Sequence, residues 1–195
     1  TRLMAGDQAG YHRPCAEAIG RFAPSDAPDA WQVALACALA PGAVADPAAP
    51  VRLAATAVAG DPRSAPKQFA LGLALYRDGQ ADRAIRHLAE SLAIAPEEPT
   101  RMLSWPALAL ANHRLGRVEE ARRWLEQARS VAPDADGSRP GEVLGAGSSW
   151  WEGAEFLLLR REAETVLGYE ADRPLAPVAR DETAPGRLEG GHDQL

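Results

Sequence analysis

Two kinds of residue pair in this chain are spaced to do chemistry. His12 and Cys15 stand three positions apart, which sets an imidazole and a thiol on one face of a helix, as two ligands of a metal ion require. A tetrahedral site needs four donors, and no nearby second pair completes this one, so packing is the simpler role and no metal is expected. The second kind is a ring followed by arginine. Tyr76-Arg77 and His113-Arg114 stand 37 residues apart at equivalent positions, and such rungs could hold an acidic group on a peptide by ring contact and charge-assisted hydrogen bonds. Together with Phe69, Leu73 and Leu110 they form a candidate row of peptide-binding residues: Phe69, Leu73, Tyr76, Arg77, Leu110, His113 and Arg114. A packing role also accounts for each one singly. Phe69 and Leu73 can pack on a neighbouring helix, and arginine in a last helical turn is drawn to the carbonyls there.

Little else points to catalysis. The sequence has no glycine-rich phosphate loop, no His-Glu-x-x-His and no nucleophile elbow, so neither catalytic residues nor a cofactor are expected. Glu97 and Glu98, before Pro99, suit a helix N-terminus, where negative charge is favoured. A net charge of −6 and a pI near 5.3 oppose binding to nucleic acid or an anionic membrane. The apolar runs stop short of a bilayer span: Val33 to Ala40 meets Pro41-Gly42, and Phe156 to Leu159 meets Arg160-Arg161. Cys15 and Cys37 give no framework of a secreted disulfide protein and read as small, reduced packing residues in a cytoplasmic chain. Lys67 is the sole lysine among 21 basic side chains, a bias that carries no phosphate-recognition signal of its own.

The elements that must position these residues come in pairs. From Gln68 to Pro96 the landmarks are Leu71-Gly72, Leu75, Gly79, Ala84 and Leu88; from Trp105 to Pro133 they are Leu108-Ala109, Asn112, Gly116, Ala121 and Leu125, at the same offsets. Each unit reads as two antiparallel helices joined at a turn glycine and stopped by proline. Gly72, Ala84, Ala109 and Ala121 let helices approach closely, and neither unit can bury its apolar face without a neighbour. Pro62 to Pro96 spans 34 residues, while Gly79 to Gly116 spans 37, leaving three extra residues between the units. The second helices should bury Ala84, Ile85, Leu88 and Leu92, then Val118, Ala121, Leu125 and Ala128. Arg83, Arg86, His87 and Glu90 fall outside, as do the i,i+4 pairs Glu119–Arg123 and Arg122–Glu126. Pro106 should kink its helix or delay the regular part.

Flanking segments repeat the theme more loosely. Gly6 resembles Gly79 and Gly116, ends a helix running through Arg2 to Met4, and precedes a helix from about Ala9 to Phe22. A degenerate pair follows: Ala30 to Ala40, then a helix from Pro47 with Asp46 as N-cap, ending at Gly60. Residues 134–149, rich in Gly, Ser and Pro, read as a loop, and 150–167 as a helix presenting Trp150, Trp151, Ala154, Leu157, Leu158, Val166 and Leu167 as a cap. The expected organisation is one helical-repeat domain over 1–168, central repeats at 66–96 and 102–133, and a tail at 169–195 too poor in apolar residues to fold alone. A chain beginning at Thr1, already in helix-like residues, reads as a piece of a longer protein.

The stretches Leu71-Gly-Leu-Ala-Leu-Tyr-Arg-Asp-Gly-Gln with Ala84-Ile-Arg-His-Leu-Ala-Glu-Ser-Leu, and Leu108-Ala-Leu-Ala-Asn-His-Arg-Leu-Gly with Glu120-Ala-Arg-Arg-Trp-Leu, resemble tetratricopeptide repeats. The arrangement of Tyr11-His-Arg-Pro-Cys, Ala36-Cys-Ala-Leu-Ala-Pro and Leu158-Leu-Arg-Arg-Glu-Ala-Glu around them is similar to the C-terminal repeat region of large bacterial signalling proteins. Such regions follow serine/threonine kinase domains, often with WD-type repeats between. The resemblance implies an all-α superhelix of helix pairs with a C-terminal capping helix, a non-catalytic scaffold that binds a protein or peptide in its concave groove. It also allows a segment that docks on and regulates its own kinase domain, with an exposed apolar patch near Leu3 and Met4, or a plain structural spacer. Nucleic acid, membrane and small-molecule substrates are not expected partners. Phe69, Leu73, Pro106 and Leu110 stand where chaperone-binding members carry Lys and Asn, so chaperone tails are not expected ligands.

Overall fold

Turn glycines set the architecture of this computed structural model, which describes residues 2–22, 29–95, 99–131, 139–144 and 149–169. Gly79 and Gly116 have φ of +83° and +73°, a region that L side chains avoid. The amide of Gln80 donates to the Leu75 carbonyl at 2.9 Å and that of Arg117 to the Asn112 carbonyl at 3.0 Å, closing each helix end. Gly6 repeats the device with an Asp7-to-Arg2 bond, and Gly168 with a Tyr169-to-Glu164 bond. Gly42 also has positive φ, so that Gly6, Gly42, Gly79 and Gly116 recur every 36 or 37 residues.

The described residues are helical, with no strand among them: α1 (Gln8–Phe22), α2 (Ala30–Ala38), α3 (Ala48–Gly60), α4 (Ala65–Arg77), α5 (Ala81–Ile94), α6 (Pro99–Arg114), α7 (Val118–Val131), α8 (Pro140–Val143) and α9 (Trp150–Val166). They pair as α2/α3, α4/α5 and α6/α7, with α1 against α2 and α9 against α6, α7 and α8. First helices also touch one another in turn, α2 to α4 and α4 to α6, whereas no comparable contact joins α3 to α5 or α5 to α7. The row α2, α4, α6 is therefore the crowded inner side of an all-α superhelix of helix pairs.

Small residues make this crowding possible. A Cβ on Gly72 would lie 2.7 Å from Leu88 Cγ and 3.2 Å from the Leu88 amide nitrogen, so α4 and α5 meet at van der Waals distance. Ala70, Ala74, Ala84, Ala107, Ala109 and Ala121 are fully buried, with Phe69, Leu73, Leu75, Leu88, Leu108 and Leu125 filling the space between them. Gly153 serves α9 in the same way: a Cβ there would collide with the backbone of Pro140 in α8.

Several expectations are met and several are displaced. Asp46 caps α3, its carboxylate accepting the Ala48 amide at 3.0 Å. α6 is regular from Pro99 through the buried Pro106, so the proline does not delay it. Val118, expected inside, is 40% exposed because it opens α7 before that helix reaches its neighbours. His87, expected outside, is half-buried, its Nδ1 2.8 Å from the Gln68 side-chain oxygen. The surface charges of α7 pair as Glu119–Arg122, one residue shorter in spacing than expected. In α9 the expected Ala154 and Leu157 are buried, together with Phe156, Leu159, Arg160 and Ala163, while Val166 is 41% exposed. Inside the segment expected as a loop, α8 forms and buries Pro140 and Val143. The tail from 170 onward, Pro96 and Pro133 lie outside the described residues.

Candidate functional site

The ring and arginine rungs are used within the fold. Arg77, in the last turn of α4, donates from Nε to the Ala38 carbonyl at 2.6 Å and from Nη2 to the Leu39 carbonyl at 2.9 Å, closing the C-terminal end of α2. Arg114, one repeat later, donates to the Tyr76 carbonyl at 2.7 Å, at the end of α4. Each arginine thus reaches carbonyls at the C-terminal end of the preceding first helix, that of Tyr76 also accepting the Gly79 amide at 3.1 Å. The Tyr76 ring lies against both guanidinium groups, 5.2 Å from each. Burial and the nearby Glu162 carboxylate push its hydroxyl pKa up.

The same guanidinium of Arg77 also forms a bidentate pair with Glu162 of α9, at 2.5 and 2.6 Å. That contact ties α9, which packs mainly on α6 and also on α7, back to the end of α4. Leu73 and Leu110 are 0% exposed, Tyr76 8% and the Arg77 side chain 10%. These four do not line an open groove, which is the physical difference from the expected peptide-binding row. His113 is half-buried and Arg114 exposed at the far edge. Phe69, only 1% exposed, is the one of the seven candidates that lines a cleft.

That space is a cleft of about 450 Å³ at the N-terminal ends of the inner helices, within the usual range for ligand sites. Its apolar walls are Trp31 and Leu35 from α2, Phe69 from α4, Leu103 from α6 and Trp151 from α9. Trp151 is 66% exposed, so it is not the capping residue expected of the Trp150-Trp151 pair. Gln32, Thr100, Ser149, Glu152 and Glu155 supply the polar atoms, and no Arg, Lys or His among the described residues joins them.

The two carboxylates differ. Glu152 accepts the Ser149 amide at 2.7 Å and its hydroxyl at 2.8 Å in a capping box that starts α9. Glu155 is half-buried, and among the described residues no hydrogen bond or cation offsets its charge. Burial, with Glu152 beside it, raises its pKa to about 7. Glu155 carried no motif, because its exceptional state depends on neighbours brought in by three other helices.

Cys15 packs on Cys37 rather than acting with His12, and both thiols are free and buried. The Cys37 thiol hydrogen bonds toward the Cys15 carbonyl at 3.7 Å, and Tyr11 donates to the Ala36 carbonyl. Hydrogen bonding from Cys37, against the effect of burial, brings the Cys15 pKa down to about 7, and the same contact pushes that of Cys37 up. His12 Nε2 is buried without a hydrogen-bond partner, and no group of three potential metal ligands occurs among the described residues. Nor is any described helix long and apolar enough to cross a membrane.

Residues 63–134, spanning α4 to α7, match the family model of the tetratricopeptide repeat. No curated protein and no solved structure matches the chain.

Proposed function

We propose, with tetratricopeptide repeats over 63–134 as the premise, that this chain is a non-catalytic scaffold that seats a peptide or helix of a protein partner in the cleft between α2, α4, α6 and α9. Repeats of this family bind proteins on the inner face of their superhelix, and the observation that carries the reading is the open, aromatic-walled cleft on that face. An exposed tryptophan at the mouth of an apolar cleft has the character of an interface anchor. The partner surface lies at the N-terminal ends of the inner helices, with Phe69 kept from the row read in the sequence.

A cytoplasmic role in a larger bacterial signalling protein, next to a serine/threonine kinase domain, fits the sequence resemblance and forms part of this reading. Regulation of such a kinase in cis would use an apolar patch near Leu3 and Met4, but Met4 is buried and Leu3 half-buried. The cleft is therefore the favoured surface. Capture of partners from the native host by the wild-type chain and by a Trp31→Ala, Trp151→Ala double variant tests it. Loss of the captured protein with unchanged helical circular dichroism is expected, and equal capture by both chains would overturn the reading.

A further inference from the structure

The polar wall of the cleft specifies what its occupant carries. Two carboxylates, Glu152 and Glu155, face a space that no basic side chain among the described residues lines. Glu152 is committed to the capping box with Ser149. Glu155 is not committed to anything among the described residues, although it stands half-buried beside aromatic walls. A carboxylate in such a place loses hydration and gains no counter-ion, a state that folding normally avoids or neutralises.

We infer that the cleft receives the side chain of an arginine or lysine borne by an apolar segment of the protein partner, the cation pairing with Glu155 and its aliphatic stem lying against Trp31, Phe69 and Trp151. This assignment rests on the peptide-binding reading above. It joins the three features of the cleft: an apolar wall for the stem, indole faces that attract a cation, and an acid lacking its partner. The Glu155 carboxyl, held at about 7, keeps much of its proton at neutrality and releases it when a cation arrives.

An anionic occupant is the competing chemistry, because the first turns of four helices point toward the cleft. Each helix start carries about half a positive charge, and the effect fades within one turn. Glu152 already faces the start of α9. An anion would meet the charged Glu152 and a Glu155 that ionises near pH 7, against fractional charges set in the backbone, so the cation is favoured.

Selection of random displayed peptides on the immobilised full-length chain at about pH 8, where Glu155 is ionised, tests the assignment. Enriched peptides are expected to share a basic residue flanked by apolar ones. The synthesised peptide should bind the wild-type chain, and binding should weaken about tenfold or more on Glu155→Gln, or when its arginine is replaced by neutral citrulline. Circular dichroism verifies the fold of each variant. Enriched peptides without a basic position that still lose binding on Trp151→Ala would overturn the cation and leave the peptide seat standing. Failure to enrich any peptide, or binding unchanged by Trp31→Ala and Trp151→Ala, would overturn the seat as well.

Discussion

At the scale of single residues, Glu155 carries the clearest energetic signature. The unfolded chain releases this proton in the ordinary carboxylate range, while the folded chain holds it up to about pH 7. Between those values the folded state binds more protons than the unfolded one, so this group makes stability fall as pH rises through the window. Its contribution is most favourable on the acid side. Replacing it by glutamine should remove the slope and stabilise the protein at pH 8 by on the order of 1 to 2 kcal/mol after solvent screening, with little change near pH 4. Thermal melts of the two chains at several pH values measure this, and parallel pH profiles would contradict it. Arg77 and Arg114 give the complementary lesson. Their place in last turns made carbonyl capping readable in the sequence, since the carbonyls and the helix dipole are local. Which carbonyls they reach, and the meeting of Arg77 with Glu162, depend on residues 38 to 85 positions away.

At the scale of elements, α4 to α7 were legible because their signals are internal: a turn glycine, small residues at close approaches and leucines at helical spacing. α9 was legible as a helix, from its apolar residues between Trp150 and Leu167, but its long-range tie to α4 was not. A cap was expected to cover the end of the stack. It packs on α6 and α7 of the last pair, and Arg77 also clasps it through Glu162, tying it back to α4. Arg77→Met should strip Glu162 of its cation and leave the Ala38 and Leu39 carbonyls without these donors. A loss of about 3 kcal/mol is expected, since removing one partner of a buried pair abandons the other. Urea titration followed by circular dichroism measures it, and a change below about 0.5 kcal/mol, the level of ordinary surface substitutions, would show the clasp to be energetically idle.

At the scale of the whole molecule, stability should be graded along the superhelix. α4 and α6 have neighbours on both sides and bury nearly every side chain, while Cys15 is the only residue of α1 that is fully withdrawn from solvent. Repeat arrays open from their less supported units, so amide hydrogen exchange should be slowest in α4 and α6 and fastest in α1. Mass spectrometry of exchanged peptides resolves this, and uniform protection across the helices would instead indicate a single cooperative block. The bond between Arg77 and Glu162 has a mechanical consequence as well. A stack joined only to its neighbours is a spring, free to widen and change pitch. Here a late coil is hooked back onto an earlier one across 85 residues of chain. Tension along the axis must therefore unfasten that hook before the coils can separate, and the mouth between Trp31 and Trp151 keeps a nearly fixed gauge until it does.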